Sequence, residues 1–211
     1  MVAEEGKQTA MDLRRKYQIT EYCHHILTEY IREGDCCVDA TAGNGHDAAF
    51  LCGLVGPRGK VYAFDIQKKA IGNTLERLKK SGYEPRAQVI RDGHENMGKY
   101  VKEEVSAVLF NLGYLPGGDH SLATKAASTL EAVKAGMKIV KTGGVISLCI
   151  YSGGDTGYEE RDALLSWMED LDPRKWLVIV HRFYNRKNDP PMAAFIIRLE
   201  PDGERKTDID V

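Results

Sequence analysis

Apolar residues recur along the chain with two alternating periods. Spacings of three and four, as in Ile19, Cys23 and Ile26, are typical of amphipathic helices, whereas short runs such as 60–65 (KVYAFD) are typical of buried strands. Helices are predicted at 17–31, 46–54, 68–81, 124–137 and 159–171. Strands are predicted at 36–40, 60–65, 87–91, 105–110, 144–150, 176–183 and 193–199.

The order of these elements predicts the fold class. Strands alternate with helices up to about residue 171, which favours right-handed crossovers and a parallel sheet with helices on both faces. Two β-rich runs, 176–183 and 193–199, then follow with no room for a helix between them. These two strands should pair antiparallel, so the chain should be an α/β protein with a mostly parallel sheet.

Length and composition narrow the picture. With 211 residues, 43% of them hydrophobic, the chain should form a single domain over 1–211, with a helical extension at about 1–33 and a frayed tail at about 201–211. No apolar run approaches the roughly 20 residues of a membrane span, and residues 1–12 do not resemble a signal peptide, so we expect a cytoplasmic protein. The five cysteines show no C-x-x-C pair and should be buried free thiols rather than metal ligands. A net charge of −2 leaves a local basic patch possible.

The candidate chemistry begins at residues 38–47 (VDATAGNGHD), where the first strand ends in a glycine turn and a helix begins. Gly43 and Gly45 let a ligand approach the backbone, and the free N–H groups of the following helix suit a phosphate, carboxylate or hydroxyl. The turn fits the dinucleotide fingerprint G-x-G-x-x-A, and Asp65 follows at the end of the second strand. Proteins that bind NAD, FAD or S-adenosylmethionine (SAM) share this pattern, so it does not by itself identify the cofactor.

Three features favour SAM. Asp39 precedes the glycines, where it would repel a pyrophosphate but could accept a hydrogen bond from the amino group of a methionine moiety. The closing antiparallel pair is the addition that distinguishes SAM-dependent methyltransferase sheets from nicotinamide-binding ones. The segment 111–118 (NLGYLPGG) follows the fourth strand, at the sheet edge where ligands of parallel sheets bind.

Five segments resemble one known family: 39–47 (DATAGNGHD), 64–67 (FDIQ), 92–97 (DGHENM), 111–119 (NLGYLPGGD) and 185–191 (NRKNDPP). They are similar to the bacterial and plastid MnmM methyltransferases, long labelled rRNA methylases, and the resemblance covers about residues 20–199. It implies a class I, Rossmann-like methyltransferase fold with a mostly parallel seven-stranded sheet, an antiparallel last strand and helices on both faces. It also implies that SAM methylates the amine of 5-aminomethyl-2-thiouridine at the tRNA wobble position.

One departure from the family pattern falls at the end of the fifth strand. The family carries Tyr-x-Gly-His there, whereas this chain carries Tyr151-Ser-Gly-Gly154. A role assigned to that histidine in the family therefore does not transfer to this chain.

The candidate cofactor-binding residues are Asp39, Thr41, Gly43, Asn44, Gly45, Asp47, Asp65, Ile66, Gln67, Asp92, His94 and Asn111. Asp65 is the firmest of them, because a carboxylate can accept both ribose hydroxyls. Ile66 and Gln67 are expected to flank the adenine, although Gln67 could equally begin a helix.

Several of these candidates have a competing structural explanation. Asp47 either favours the helix N-terminus electrostatically or bonds the methionine ammonium. Asn44 either offers its amide to the cofactor or serves as a tolerant residue in a strained turn. Asp92 and His94 stand where an adenine-binding pair would lie, but Asp92-Gly93 also favours a turn.

The catalytic candidates are Asn111, Tyr114, Asp119 and His120. By resemblance Asn111 borders the methyl donor, although it could simply start the turn. Tyr114 could stack on a splayed pyrimidine or belong to the core. Asp119 or His120 could accept the proton that the amine must lose, but methyl transfer mainly requires alignment, and a strong base is not essential.

A basic cluster near the last hairpin supplies the candidate RNA contacts. Arg182, Arg186 and Lys187 alternate with Tyr184 close to the expected active edge, a combination that suits RNA phosphates. A solvated hairpin tip explains the same residues almost as well.

The leading hypothesis is a SAM-dependent tRNA wobble-uridine methyltransferase with tRNA as its partner and no membrane partner, and a homodimer is a candidate assembly. An rRNA methyltransferase is the enzyme alternative. A non-catalytic SAM- or RNA-binding module is the alternative from a different class, and a nicotinamide oxidoreductase is disfavoured by the closing antiparallel strands.

Overall fold

The computed structural model describes residues 17–113, 126–152 and 157–200, and it has the alternation of helices and strands that the apolar pattern predicts. The helices are α1 (Ile19–Leu27), α2 (His46–Val55), α3 (Lys68–Lys80), α4 (Ala126–Ile139) and α5 (Gly157–Glu169). The strands are β1 (Cys36–Asp39), β2 (Lys60–Phe64), β3 (Ala87–Ile90), β4 (Val105–Asn111), β5 (Val140–Ile150), β6 (Trp176–His181) and β7 (Met192–Arg198). Short 3-10 helices at Glu84–Arg86 and His94–Lys99 flank β3.

The strands of the described ranges form one seven-stranded sheet in the order β3-β2-β1-β4-β5-β7-β6. The first five strands along the chain pair parallel to one another. Strand β7 runs antiparallel to both β5 and β6, with Ile150 opposite Met192 and His181 opposite Ala193. This confirms the mostly parallel sheet and the closing antiparallel strand.

The boundary between α4 and β5 differs from the prediction. A loop was expected between the helix at 124–137 and a strand at 144–150, but β5 begins at Val140, directly after α4. The register shifts within the β4–β5 pairing, since Val105 opposes Val140 while Ala107 opposes Val145. Gly143, at φ 75°, lies in the stretch where the register shifts, so the residues before the predicted strand start at 144 belong to an irregular part of β5.

Two hydrophobic cores, one on each face of the sheet, stabilise the fold. Helices α1, α2 and α3 bury one face, with residues such as Leu27, Leu51 and Leu78 packed against β1 and β2. Helices α4 and α5 bury the other face, where Val133 and Leu164 pack against the aromatic and aliphatic residues of β4 and β5. Four of the five cysteines are buried in the first core or beside it, and all five are free thiols.

The topology brings several chain segments to one edge of the sheet. The carboxyl ends of β1, β2, β4 and β5 lie there, as do the carboxyl end of β6 and the start of β7. Helix α1 crosses this edge, and three consecutive residues tie it down: the Tyr22 hydroxyl bonds His181, Cys23 Sγ lies 3.3 Å from Cys149 Sγ, and His24 bonds Asp47 at 2.7 Å. Within the described residues, no helix is long and apolar enough to span a membrane.

Gly45 offers a test of how α2 and α3 are held together. Its φ of 75° is left-handed, and a Cβ added there would lie 2.8 Å from the Cα of Thr74 in α3. Gly45→Ala should therefore lower the free energy of unfolding by about 2 kcal/mol or more, from backbone strain plus a steric clash with the Thr74 backbone. Urea unfolding measures this change.

The matched control is Gly72→Ala in α3, where an added Cβ meets nothing within 4 Å. Alanine is the better helix former, so this variant should gain about 0.5–1 kcal/mol. Equal stabilities of the two alanine variants would contradict the proposed packing role of Gly45.

Candidate functional site

The glycine turn after β1 is built by two glycines with different roles. Gly43 and Gly45 both have positive φ, 51° and 75°. Gly45 is buried against α3, and the hydroxyl of Thr74 donates to the Gly43 carbonyl at 3.3 Å. Gly45 therefore serves the approach of a helix, whereas Gly43 remains the glycine that can face a ligand.

Asp65 fixes this turn from the end of β2. Its Oδ2 accepts the N–H of Gly43 at 3.0 Å, and its Oδ1 accepts the N–H of Gln67 at 2.8 Å. The carboxylate is half-buried, and each oxygen keeps a lone pair for a further donor. Asp65 thus joins the turn to the second strand and retains capacity for two ligand hydroxyls.

Asp39 is a buried carboxyl with unused hydrogen-bonding capacity. Its Oδ1 accepts the N–H of Thr41 at 3.1 Å, but its Oδ2 has no hydrogen-bond partner within the described part of the chain. Burial raises the pKa of Asp39 well above its ordinary range, and the nearby carboxylates of Asp47 and Asp65 raise it further. An unpaired buried carboxyl beside a glycine turn fits a cationic amino group, such as the one that SAM carries.

Thr41 connects the glycine turn to β4, the strand next to β1 in the sheet. Its Oγ1 accepts the backbone N–H of Asn111 at 2.7 Å, across 70 residues of sequence. Asn111 itself ends β4 opposite Cys149 and is half-buried at the edge. The bond therefore sets the distance between the glycine turn and the segment that begins at Asn111.

Asp47 has a partner that the sequence did not reveal. Its Oδ1 bonds Nε2 of His24 in α1 at 2.7 Å, and the His24 ring stacks on Phe50 with the ring centroids 3.7 Å apart and the planes within 4°. Asp47 also lies in the first turn of α2, as predicted. The only sequence signal for His24 was its place in an amphipathic helix, which does not identify a partner 23 residues away.

The side chains of Asn44 and His46 contact α3. Asn44 Oδ1 accepts from Asn73 at 2.8 Å, and its carbonyl accepts from Arg77 Nε at 2.6 Å. His46 Nε2 lies 2.9 Å from a guanidinium nitrogen of Arg77, and burial with this cation lowers the pKa of His46. These contacts favour the structural explanation of Asn44 over a cofactor contact by its side chain.

Asp92 and His94 make different kinds of contact: Asp92 bonds within its own turn, whereas His94 reaches the Ala40 carbonyl near the glycine turn. Three groups donate to the Asp92 carboxylate: the Tyr100 hydroxyl at 2.8 Å, the Gly93 N–H at 2.7 Å and the Asn96 amide at 2.9 Å. The bond from Tyr100 is the main cause of the lowered pKa of Asp92. Asp92 thus organises its own turn. His94 is mostly buried, burial lowers its pKa, and its Nδ1 lies 3.1 Å from the Ala40 carbonyl beneath the glycine turn. The neutral ring must therefore donate from Nδ1 and keep Nε2 as an acceptor.

Two residues beside Asp65, Ile66 and Gln67, keep side-chain surface or hydrogen-bonding groups that the fold itself does not use. Ile66 exposes 51% of its surface although it is large and apolar, an exposure that a stacked base would reduce. Gln67 precedes α3 as its N-cap and makes no side-chain capping bond, so its amide is not used by the helix start. Of the remaining candidates, Tyr114, Asp119 and His120 lie outside the described residues, as do Gly153 and Gly154 of the departing motif.

The basic hairpin (residues 182–191) joins β6 to β7 at the same edge. Arg182, Arg186 and Lys187 are all exposed, and Tyr184 exposes 98% of its surface. The Arg186 guanidinium lies 4.1 Å from the Phe183 ring centroid. The structure therefore places the predicted RNA-binding residues at the same edge of the sheet as the glycine turn, but at its β6 end, whereas the turn follows β1, four strand positions away.

Comparison with known proteins agrees with this geometry. The family model described as "Putative rRNA methylase" matches residues 61–197. The tRNA (mnm(5)s(2)U34)-methyltransferase, chloroplastic, of Arabidopsis thaliana is 37% identical over 191 residues, which is 86% of this chain and 69% of that protein.

Two solved structures are also similar. A "putative rRNA-methylase" from Clostridium thermocellum is 45% identical, with a TM-score of 0.82 over 83% of this chain and 95% of the other. A "putative methyltransferase" from Streptococcus mutans, solved with S-adenosylhomocysteine (SAH), is 36% identical, with a TM-score of 0.79 over 86% of this chain and 98% of the other. The seven-stranded sheet with antiparallel β7 is accordingly the class I methyltransferase fold. The chain belongs to the rRNA methylase family of SAM-dependent RNA methyltransferases.

Proposed function

We propose that this enzyme methylates the amine of 5-aminomethyl-2-thiouridine at the wobble position of tRNA, in the cytoplasm. The observation that carries the proposal is that the glycine turn and the basic hairpin lie at the same edge of the sheet. The Arabidopsis relative is named for the wobble uridine of tRNA, and it shares 37% identity over 86% of this chain.

We assign the cofactor roles by the hydrogen-bonding capacity that each group retains. Asp65 receives the ribose hydroxyls, and Asp39 receives the amino group of the methionine moiety through its unpaired Oδ2. Ile66 and Gln67 flank the adenine, and Gly43 presents its backbone to the cofactor. Thr41, Asn44, Gly45, Asp47, Asp92 and His94 shape the pocket through the contacts described above.

When bound, SAM supplies a methyl group on a positively charged sulfur. The chain's own task is to align the acceptor amine with that methyl and to exclude water, since an in-line displacement depends mainly on geometry. Asn111, whose position is fixed by the Thr41 hydroxyl, borders the reacting centre in this proposal. Tyr114, Asp119 and His120 remain predictions for stacking and proton acceptance, because they lie outside the described residues.

The basic hairpin is proposed to bind RNA phosphates through Arg182, Arg186 and Lys187. All three cations are exposed on the hairpin, which lies at the same edge of the sheet as the glycine turn. An anticodon loop that brings its base to the cofactor would approach this edge. An rRNA substrate would use the same phosphate contacts, and the family's name favours it. The acceptor must therefore be identified by experiment.

Asp65→Asn should weaken SAH binding roughly 10- to 100-fold, because an amide can no longer accept from two hydroxyls and two backbone N–H groups together. Isothermal titration calorimetry with SAH measures the loss. Asp92→Asn provides the comparison, since that carboxylate is already engaged by Tyr100, Gly93 and Asn96. It should lower thermal stability and leave SAH affinity close to wild type; the reverse ranking would transfer the main cofactor role to Asp92.

Cofactor affinity should rise with pH through Asp39. Burial raises the pKa of this carboxyl, so part of the free protein holds it protonated above the ordinary carboxyl range. A cationic amino group prefers the ionised form, and binding should release a proton, which makes the affinity increase as pH rises toward the raised pKa. Calorimetry in two buffers of different ionisation heat measures the proton release. Asp39→Asn should abolish that release, and an unchanged release would exclude Asp39 as its source.

The acceptor is tested with anticodon stem-loops carrying 5-aminomethyl-2-thiouridine and with labelled SAM. We expect label transfer to this RNA and none to the same RNA with an unmodified uridine, because only the former carries an aliphatic amine at the wobble position. Fragments of ribosomal RNA form the parallel series. Transfer to a ribosomal fragment alone would replace the tRNA assignment while leaving the cofactor roles intact.

A further inference from the structure

A second concave surface lies at the active edge, outside the cofactor site. A cavity of about 400 Å³ opens between the start of α1 and the end of β6. Four of its seven lining residues carry aromatic rings, namely Tyr17, Tyr22, His181 and Phe183, and the others are Ile19, Val180 and Arg182. A volume of this size is in the range of small-ligand pockets.

The aromatic wall is held in place by its own contacts. The Tyr22 hydroxyl bonds His181 Nδ1, and the His181 ring meets Phe195 edge-on with the centroids 5.6 Å apart. Tyr17 stacks on Tyr22 at a centroid distance of 6.5 Å and an interplanar angle of 27°, yet it keeps 44% of its surface exposed. A planar ligand would thus meet rings that are already oriented, which lowers the entropic cost of binding.

The charge around the cavity selects an anionic ligand. Arg182 lines the cavity, Arg186 lies over the Phe183 ring, and Lys187 follows on the exposed hairpin. Among the described residues that line the cavity there is no carboxylate. Asp189 of the hairpin instead accepts from the Tyr158 hydroxyl of α5 at 3.4 Å. Aromatic faces bordered by cations are the combination that binds unpaired nucleotides.

The cavity is coupled to the cofactor site through α1. Tyr22 belongs to the cavity wall, and His24, two residues later, bonds Asp47 beside the glycine turn. Cys23 packs between them on Cys149, near the end of β5. The β6 end is three strand positions from β4, which carries Asn111, or about 14 Å at the usual spacing of strands in a sheet. A single-stranded RNA with its reacting base at the cofactor site would therefore reach the cavity within the same loop.

From these observations we infer that the cavity binds one unpaired base of the substrate RNA, in the same loop as the nucleotide that is methylated. Tyr17 and Phe183 stack on this base, and Arg182 and Arg186 contact the flanking phosphates. The inference rests on the proposed function, since it requires a single-stranded RNA acceptor. It assigns Tyr17, Tyr22 and Phe183 to substrate recognition, a role separate from that of the cofactor residues.

The test uses the full chain with SAH and a series of anticodon stem-loops that carry 5-aminomethyl-2-thiouridine and one abasic nucleotide each. For the wild type, removing one particular base of the loop other than the wobble base should lower the affinity roughly tenfold, the usual scale of a base stacked on an aromatic ring. The double variant Tyr17→Leu with Phe183→Leu should lose about as much with the intact RNA, and the abasic RNA should cost that variant nothing more.

Two variants serve as controls. Tyr30→Leu makes the same change near the far end of α1, away from the cavity, and should bind RNA as the wild type does. Lys187→Gln should weaken all RNAs of the series equally and reduce the salt dependence of binding, as loss of a phosphate contact does. The SAH affinity and the unfolding temperature of the Tyr17/Phe183 variant show that its fold and cofactor site are intact.

Three results would overturn the inference. The first is wild-type RNA affinity in the Tyr17/Phe183 variant; continued methylation of the stem-loop would then leave the proposed function standing. The second is an abasic penalty that is the same in wild type and variant. The third is a dimer that sedimentation detects for the wild type but not for the Tyr17/Phe183 variant, because the cavity would then be a contact between copies of the chain. If only ribosomal RNA is methylated, the tRNA acceptor is wrong. Comparing intact and abasic ribosomal RNA in the wild type and the Tyr17/Phe183 variant then tests whether the cavity binds a base.

Discussion

The constraint on which the site depends is the burial of Asp39 close to two other carboxylates. Asp39 is fully buried, and both Asp47 and Asp65 raise its pKa further. Such an arrangement costs free energy unless a positive charge or several donors compensate it. The fold supplies partial compensation by directing the N–H of Thr41 at Asp39, the N–H groups of Gly43 and Gln67 at Asp65, and His24 at Asp47. The remaining unpaired oxygen of Asp39 is the part that a cationic cofactor would satisfy.

This arrangement explains why helix α1, which lies outside the alternating pattern of the sheet, matters for the site. Its buried residues Ile19, Cys23 and Leu27 belong to the same core as α2 and the last strands. Between them, Tyr22 and His24 reach the end of β6 and the start of α2. A single helix therefore sets the relation between the carboxylate cluster and the β6 end of the sheet.

The sequence predicted the fold and part of the site, for identifiable reasons. The mostly parallel sheet and the antiparallel pairing of β6 with β7 follow from the apolar runs, because two β-rich segments joined without a crossover helix favour antiparallel pairing. Asp65 and Gly43 were predictable because their positions are set by the strand ends that carry them. Contacts between distant elements were not: nothing in the local pattern shows that Asn44 bonds Asn73 or that Asp47 bonds His24. Likewise, Asp92 carries the same carboxylate as Asp65, yet three nearby donors already bond to it, and the local sequence pattern does not show this.

The division between predictable and unpredictable residues parallels a division of function. The residues set by strand ends, Asp39, Gly43 and Asp65, are those we propose for SAM, a cofactor that class I methyltransferases with different acceptors share, so they carry no information about the acceptor. Acceptor choice must come from elements added around that common edge, and in the described part of the chain these are α1 and the basic hairpin. They provide two different kinds of contact: exposed cations, which attract any RNA, and an aromatic cavity, which requires an unpaired base. Because duplex RNA offers phosphates but keeps its bases stacked, the cavity is the element that can restrict this enzyme to nucleotides in a loop.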